Sequence, residues 1–224
     1  TEHVDFNSME KNLSIIKDNR TQNFVVDDYF CEINRLRKKY SSLTLLSGIE
    51  FSEPHLFPHE FAKYCAYPFD CITAGIHHCN NAAFPGARNL PVTEALDEYY
   101  NIMLKTIELG GFQVLAHLDF PRLFFDSWEI DSGLLDKILS KVVQQNIVLE
   151  VNTSSIHNSH DEPLPSYSII ERYRQLGGKK IVLGSDAHCT KDFSNQFKII
   201  TQKLSNRFQI GYIRKRIFCP LEDK

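Results

Sequence analysis

Histidines and carboxylates fall at recurring places in this chain. TLLSGIE (44–50) closes on Glu50, DCITAGIH (70–77) on His77, and QVLAH (113–117) on His117, with Asp119 two residues on. IVLGSDAH (181–188) runs out into Asp186 and His188, and the opening TEHVDF carries Glu2 and His3. Each is an apolar run that ends in a nitrogen or oxygen donor. Residues two apart in a strand face the same way, so Asp186 and His188 can point together into one mouth. Imidazole and carboxylate donors converging from several segments suit zinc, manganese or iron rather than a soft thiolate-bound ion. One strand-end histidine is ordinarily a hydrogen-bonded polar residue beside a loop. Four histidines and two acids at matching positions point instead to a shared metal site made of His3, Glu50, His77, His117, Asp186 and His188.

The other polar residues read more plainly. Glu2 faces outward by alternation, and His78 points away from its neighbour His77. His55, His59, His157 and His160 fall in loops or near helix starts and read as surface residues. Cys189 reads as a small, partly buried packing residue. RLRKK (35–39) reads as the wet face of a helix.

Strand-like runs cover 44–52, 70–77, 112–120, 146–154 and 180–188. They are continuously apolar, as expected of strands covered on both faces. Between them lie amphipathic segments at 7–19, 28–40, 59–67, 92–111, 132–146, 166–178 and 194–208. In the clearest of these, Thr93 is the expected N-cap and Gly110-Gly111 the stop. Repeated strand–helix units predict a parallel sheet with helices outside, and five such strands are enough for a barrel. Working residues in such folds sit at the carboxyl ends of the strands.

With 224 residues the chain has the length for one domain, 1–224, with a full core. A formal charge of −3 argues against a nucleic-acid partner held by its phosphates. No apolar run is long enough to span a membrane, and no signal peptide opens the chain. Six cysteines without a C-x-x-C pair predict reduced thiols in the cytoplasm.

Taken together, TEHVDF, SGIEFS, AGIHH, AHLDFPRLF, LEVNTS and GSDAH resemble the polymerase-and-histidinol-phosphatase (PHP) family of metal-dependent phosphoesterases. Their order and spacing are most similar to its histidinol-phosphate phosphatase branch. The resemblance implies an α/β fold, a distorted (β/α)7 TIM-like barrel, and two to three divalent ions, zinc, manganese or iron. It implies ligand roles for His3, His77, His117, Asp186 and His188, with Glu50 bridging two ions. The family opens with a His-x-His strand that this sequence lacks, so the barrel is expected without its first strand–helix unit. NTSSIHNSHDE also lacks the glycine and basic residue that relatives carry there, which leaves Arg122 as the expected phosphate grip and Arg88 as a weaker one.

The activity so implied is hydrolysis of L-histidinol phosphate in histidine synthesis. Metal ions would lower the pKa of water toward ~7 and neutralise the phosphate. Arg122 is expected to share the developing charge, and His188 or Asp119 to assist the leaving alkoxide. Glu53, Phe84 and Phe124 are candidates for recognising the imidazole and ammonium. The partner expected is a small phosphate ester, with no nucleic acid and no membrane, and oligomeric state stays open. Two alternatives remain, a phosphoesterase for another ester such as a nucleotide or nucleic-acid end, and a non-catalytic module of the same fold.

Overall fold

A computed structural model describes residues 1–6, 24–79, 82–83, 91–157, 160–194 and 196–221. The helix expected over 7–19 lies outside the described residues, as do Phe84 and Arg88. In chain order the main elements are β1 (Glu2–Val4), α1 (Val26–Lys39), β2 (Gly48–Ser52), α2 (Pro58–Cys65), β3 (Cys71–Gly75), β4 (His78–Cys79) and β5 (Ala82–Ala83). Then come α3 (Val92–Leu109), β6 (Val114–Leu115), α4 (Ser132–Gln144), β7 (Val148–Asn152), α5 (Ser154–His157), α6 (Tyr167–Gln175), β8 (Lys180–Gly184), α7 (Phe197–Leu204), β9 (Gln209–Arg214) and β10 (Ile217–Pro220).

The alternation of strands and helices gives a mixed α/β fold on an eight-stranded sheet, ordered β1-β2-β3-β6-β7-β8-β9-β10. Neighbours are parallel from β1 to β9, and β10 returns antiparallel to β9. The five strands read from the sequence are all present. The closed barrel is not: among the described residues nothing pairs β1 with β10. The reason lies at the edges. β10 takes the outer edge of β9, and β1 is only three residues long. The sheet nevertheless curls enough that His3 on β1 and His188 just after β8 stack with ring centroids 5.6 Å apart.

Register decides what each face carries. Glu50 aligns with His3 and Thr73, Thr73 with Val114, and Val114 with Val148. Glu150 aligns with Val182, and Val182 with Gly211. Aligned parallel residues share a face, so these make the inner face. Its lower part is a small apolar cluster of Val114, Val148 and Ile213. Its upper part is polar, and both parts line a cavity of about 740 Å³. The opposite parity, Ile49, Phe51, Ile72, Ala74, Leu115, Leu149, Val151 and Ile181, is buried in the main core with the helices.

Helix α3 shows how that core forms. Ala95, Leu96, Tyr99, Tyr100, Met103, Leu104 and Ile107 recur at helical spacing and are buried. Gly110 ends the helix at φ +68°, as expected. Thr93 is not the cap; Pro91 holds that position, with no side-chain cap. In α4, by contrast, the Asp131 side chain accepts the Leu134 N–H.

The lower ends of the strands are tied by Asp70, which accepts from Ser47 N at 2.9 Å and Lys215 N at 3.1 Å. Arg37 donates to the same carboxylate at 3.1 Å and to Leu45 O at 2.8 Å. The basic stretch of α1 is therefore not simply a wet face. Arg216, in the β9–β10 turn, donates to Phe69 O and Tyr67 O. All six cysteines are free. Among the described residues no helix is long and apolar enough to cross a membrane.

Candidate metal centre at the strand ends

Glu50 sits on the inner face of β2, at the middle of the strand, and the site is built around it. His77 follows β3 and brings Nε2 to 3.0 Å from Glu50 Oε1. His117 follows β6 and brings Nε2 to 2.9 Å from the same oxygen. The two ring nitrogens lie 3.3 Å apart. His3, on β1, approaches the other oxygen, with Nδ1 3.8 Å from Oε2. Four strand ends thus deliver three imidazoles to one carboxylate.

A second group adjoins the first. One ligand atom each from His3, Asp186 and His188 lie within 4.8 Å of one another, and the same holds for His3, Glu50 and His77. His3 is common to both groups. His188 Nδ1 meets Asp186 O at 2.8 Å, which leaves Nε2 as the outward donor. Ser52 Oγ lies 2.6 Å from His77 Nδ1 and steadies that ring. All six residues expected as ligands therefore come together at one rim.

The electrostatics fit a cation-binding set. Burial pushes the Glu50 carboxyl up, but hydrogen bonds to His117 and His77 outweigh it and hold Glu50 well below the carboxylate range. Burial pulls His77 down, yet the Glu50 carboxylate raises it to about 10. His117 is raised by the same partner against the same burial. Burial and the neighbouring imidazoles lower His3. Several bases converge here on too few protons, and a divalent ion bound to these nitrogens displaces protons in favour of a larger charge. The donor set is nitrogen and oxygen throughout, which suits zinc, manganese or iron.

Two acids around the centre carry roles the sequence did not reveal. Glu150, from the middle of VLEVN, accepts His117 N at 3.0 Å and Asn152 Nδ2 at 3.2 Å. Burial, with Glu50 and Asp186 nearby, pushes its carboxyl up to about 7. The signal was present, since an acid in an otherwise apolar strand invites a partner, but the sequence does not say which face it takes. Glu53, expected at the rim for substrate, is instead 0% exposed. Its Oε1 accepts His77 N at 2.5 Å and His78 N at 3.0 Å, and His78 Nδ1 is 3.1 Å from Oε2.

Asp119 and Arg122 lie beside the centre and face each other. Asp119 is fully buried, accepts Ser166 N at 2.9 Å, and is 3.3 Å from Arg122 Nε. Burial raises it to about 6, against the pull of Arg122. Arg122 Nη2 donates to the carbonyls of Glu162 and Pro163. The pair therefore fastens the segment after β6 to the 162–166 loop. Phe124 packs on Phe120 at 5.1 Å, and Phe120 on His117 at 4.8 Å.

Among the other histidines, His59 is exposed, as expected. His55 is not a plain surface residue, since its Nδ1 lies 2.9 Å from Thr106 Oγ1 on α3. His78 is buried, with Nε2 3.8 Å from Asp5. The His157 side chain lies outside the description. Cys189 is exposed rather than packed, with Sγ 2.7 Å from Asp192 Oδ2.

No family model matches the chain. It is 32% identical over 146 residues to a Thermotoga maritima protein named "Probable histidinol-phosphatase", a match covering 65% of this chain and 59% of that one. The chain thus spans less than two thirds of that relative's length. A Clostridium acetobutylicum protein of the same name is 26% identical over 214 residues, covering 88% of this chain and 77% of the relative. The Lactococcus lactis histidinol-phosphatase is 25% identical over 177 residues, covering 73% and 65%. In structure the chain is similar to the histidinol phosphate phosphatase of Lactococcus lactis, solved with zinc, L-histidinol and phosphate. The TM-score is 0.73 at 19% identity, over 98% of this chain and 85% of that one. The kinship read from the motifs, with the histidinol-phosphatase branch, is borne out by these relatives.

Proposed function

We propose that the chain is a metal-dependent phosphoric monoester hydrolase of the PHP type that converts L-histidinol phosphate to L-histidinol and phosphate. The observation that carries this reading is the approach of His77, His117 and His3 to the two oxygens of Glu50, at 3.0, 2.9 and 3.8 Å. The names of the relatives supply the substrate. The curled parallel sheet supports a (β/α)7-type arrangement, opened along one seam.

In this reading His3, Glu50, His77, His117, Asp186 and His188 hold two to three ions of zinc, manganese or iron. Such ions, when bound, lower the pKa of water toward ~7 and offset the charge of the phosphate. The chain's own part is to aim and to protect. Ser52 fixes the His77 ring, and Phe120 covers the His117 ring from the side. His188 is exposed at the mouth with Nε2 free of its Nδ1 contact to Asp186 O. With Nδ1 engaged by Asp186 O, Nε2 is the atom through which His188 would hold an ion at the mouth. Arg122 and Asp119, with their groups engaged by each other and by the 162–166 loop, hold the wall of the site. The relatives named histidinol-phosphatase, and the similar structure solved with L-histidinol and phosphate, favour a small ester as the partner.

The test combines metal analysis with an ester panel. The chain is expected to carry zinc, manganese or iron, to prefer histidinol phosphate over p-nitrophenyl phosphate, and to lose turnover in Glu50→Ala and His188→Ala. A metal-free, inactive chain would favour a non-catalytic module. Equal rates on every ester would overturn the substrate. Parent-level turnover in Glu50→Ala would overturn the site.

A further inference from the structure

We infer that Glu53 and Glu150 are positioning residues that aim the histidine ligands by holding their backbones. The inference rests on the metal-centre reading above. The ladder of parallel hydrogen bonds stops at Gly75 in β3 and Leu115 in β6. His77 and His117 come just after, where their N–H groups have no strand partner in the ladder. A buried N–H needs an acceptor. Each finds a carboxyl from another strand, fully buried in Glu53 and part-buried in Glu150. Glu53, leaving β2, takes His77 N at 2.5 Å and His78 N at 3.0 Å. Glu150, on β7, takes His117 N at 3.0 Å. Two ligands are thus gripped in the same way, by carboxyls from two different strands.

The backbone at these points is held in uncommon conformations. Glu53 has φ +45° and His117 φ +25°. Such conformations are costly for a residue with a side chain and persist only where neighbours enforce them. A carboxylate accepting the N–H is one such enforcement. Asn152 Nδ2 donates to Glu150 Oε2 and keeps that carboxylate turned toward His117. Room for it comes from Gly184 on β8, where an added Cβ would lie 1.9 Å from Glu150 Oε1. Two carboxyls, each spent on a ligand's main chain, fit the role of outer partners that orient metal ligands.

The role requires an acceptor oxygen, not a negative charge. Glutamine keeps the acceptor and alanine removes it, so the two substitutions separate the cases. The chain is stripped of metal, and zinc affinity is measured by competition with a chromophoric chelator, well below the unfolding temperature. Glu150→Ala and Glu53→Ala are expected to weaken zinc binding by about 10- to 100-fold, and Glu150→Gln and Glu53→Gln to stay within about threefold of the parent. Parent affinity in the alanine variants would overturn the inference. So would glutamine variants as weak as alanine, since the charge would then act directly on the ion. Should an alanine variant fail to fold, Asn152→Asp serves without leaving a cavity. It keeps the oxygen that accepts Ser154 N but turns repulsion on Glu150, and parent affinity there overturns the inference for Glu150. If the parent binds no zinc, the metal-centre reading falls and the inference with it. If the parent and every variant bind alike, only the inference falls.

Discussion

Asp119 and Glu150 are interior carboxyls, raised by burial to about 6 and about 7. The sign of the effect follows from linkage. Between the ordinary aspartate value of 3.8 and about 6, the folded chain keeps a proton on Asp119 that the unfolded chain has released. Stability from this group is therefore complete below that range and is lost as pH rises through about 6. A difference of this size corresponds to about 3 kcal/mol. Asp119→Asn keeps an acceptor for Ser166 N but cannot ionise. Urea unfolding of the metal-stripped chain at pH 4 and pH 7.5 should show the parent losing about 2 kcal/mol more than Asp119→Asn over that interval. Parallel losses in the two proteins would contradict the assignment. At this scale the candidate ligands were legible because donors closed or closely followed apolar runs. The acids that steady them were not, since VLEVN and SGIEFS show acids without showing what main chain lies beside them.

The strands place their ends through register, and their lower ends are fastened by one acid. Asp70 joins β2, the start of β3 and the β9–β10 turn through Ser47 N, Lys215 N and Arg37. Burial pushes its carboxyl up, but those N–H groups more than offset it and hold it low. Asp70→Ala leaves two main-chain donors and a guanidinium without their partner, and is expected to destabilise the fold by about 2–4 kcal/mol. Because Asp70 lies at the opposite end of β3 from His77, zinc affinity of the folded variant should match the parent. Thermal unfolding and zinc titration together check this, and a variant that keeps its stability or loses its affinity contradicts it. Among the described residues the helices were legible to within a few residues, closely in α3, where Gly110 ends the helix but Thr93 does not cap it, and less so in α7, expected over 194–208 and found at Phe197–Leu204. Caps depend on where the incoming chain turns, which local spacing does not specify.

Considered whole, the molecule crowds imidazoles and carboxylates at one rim above a small apolar plug. Metal ions binding the folded chain alone stabilise it by mass action, about 2.7 kcal/mol at a hundredfold excess over Kd. For a chain of this size that corresponds to roughly 5–10 °C in Tm. A chelator should therefore lower Tm by that order, and added zinc or manganese should restore it in a concentration-dependent way. Identical melting curves with and without chelator would count against the centre. The closed barrel was the expectation that the whole molecule altered, since closure depends on both edges of the sheet and β10 occupies one of them.

The sequence alone determined the strand–helix alternation, the kinship and the six donors, because each is written in local order: apolar runs, their spacing, and the residue that ends each run. Only the tertiary structure decided that His3 serves both donor groups, that Asp119 and Arg122 face each other, and that Glu53 and Glu150 turn inward to hold histidine main chain. Apart from the Asp119–Arg122 pair, those outcomes depend on contacts between residues far apart in the chain, as with Glu53 and His77 or His3 and Asp186. No local pattern carries that information, because register and the curl of the sheet set it.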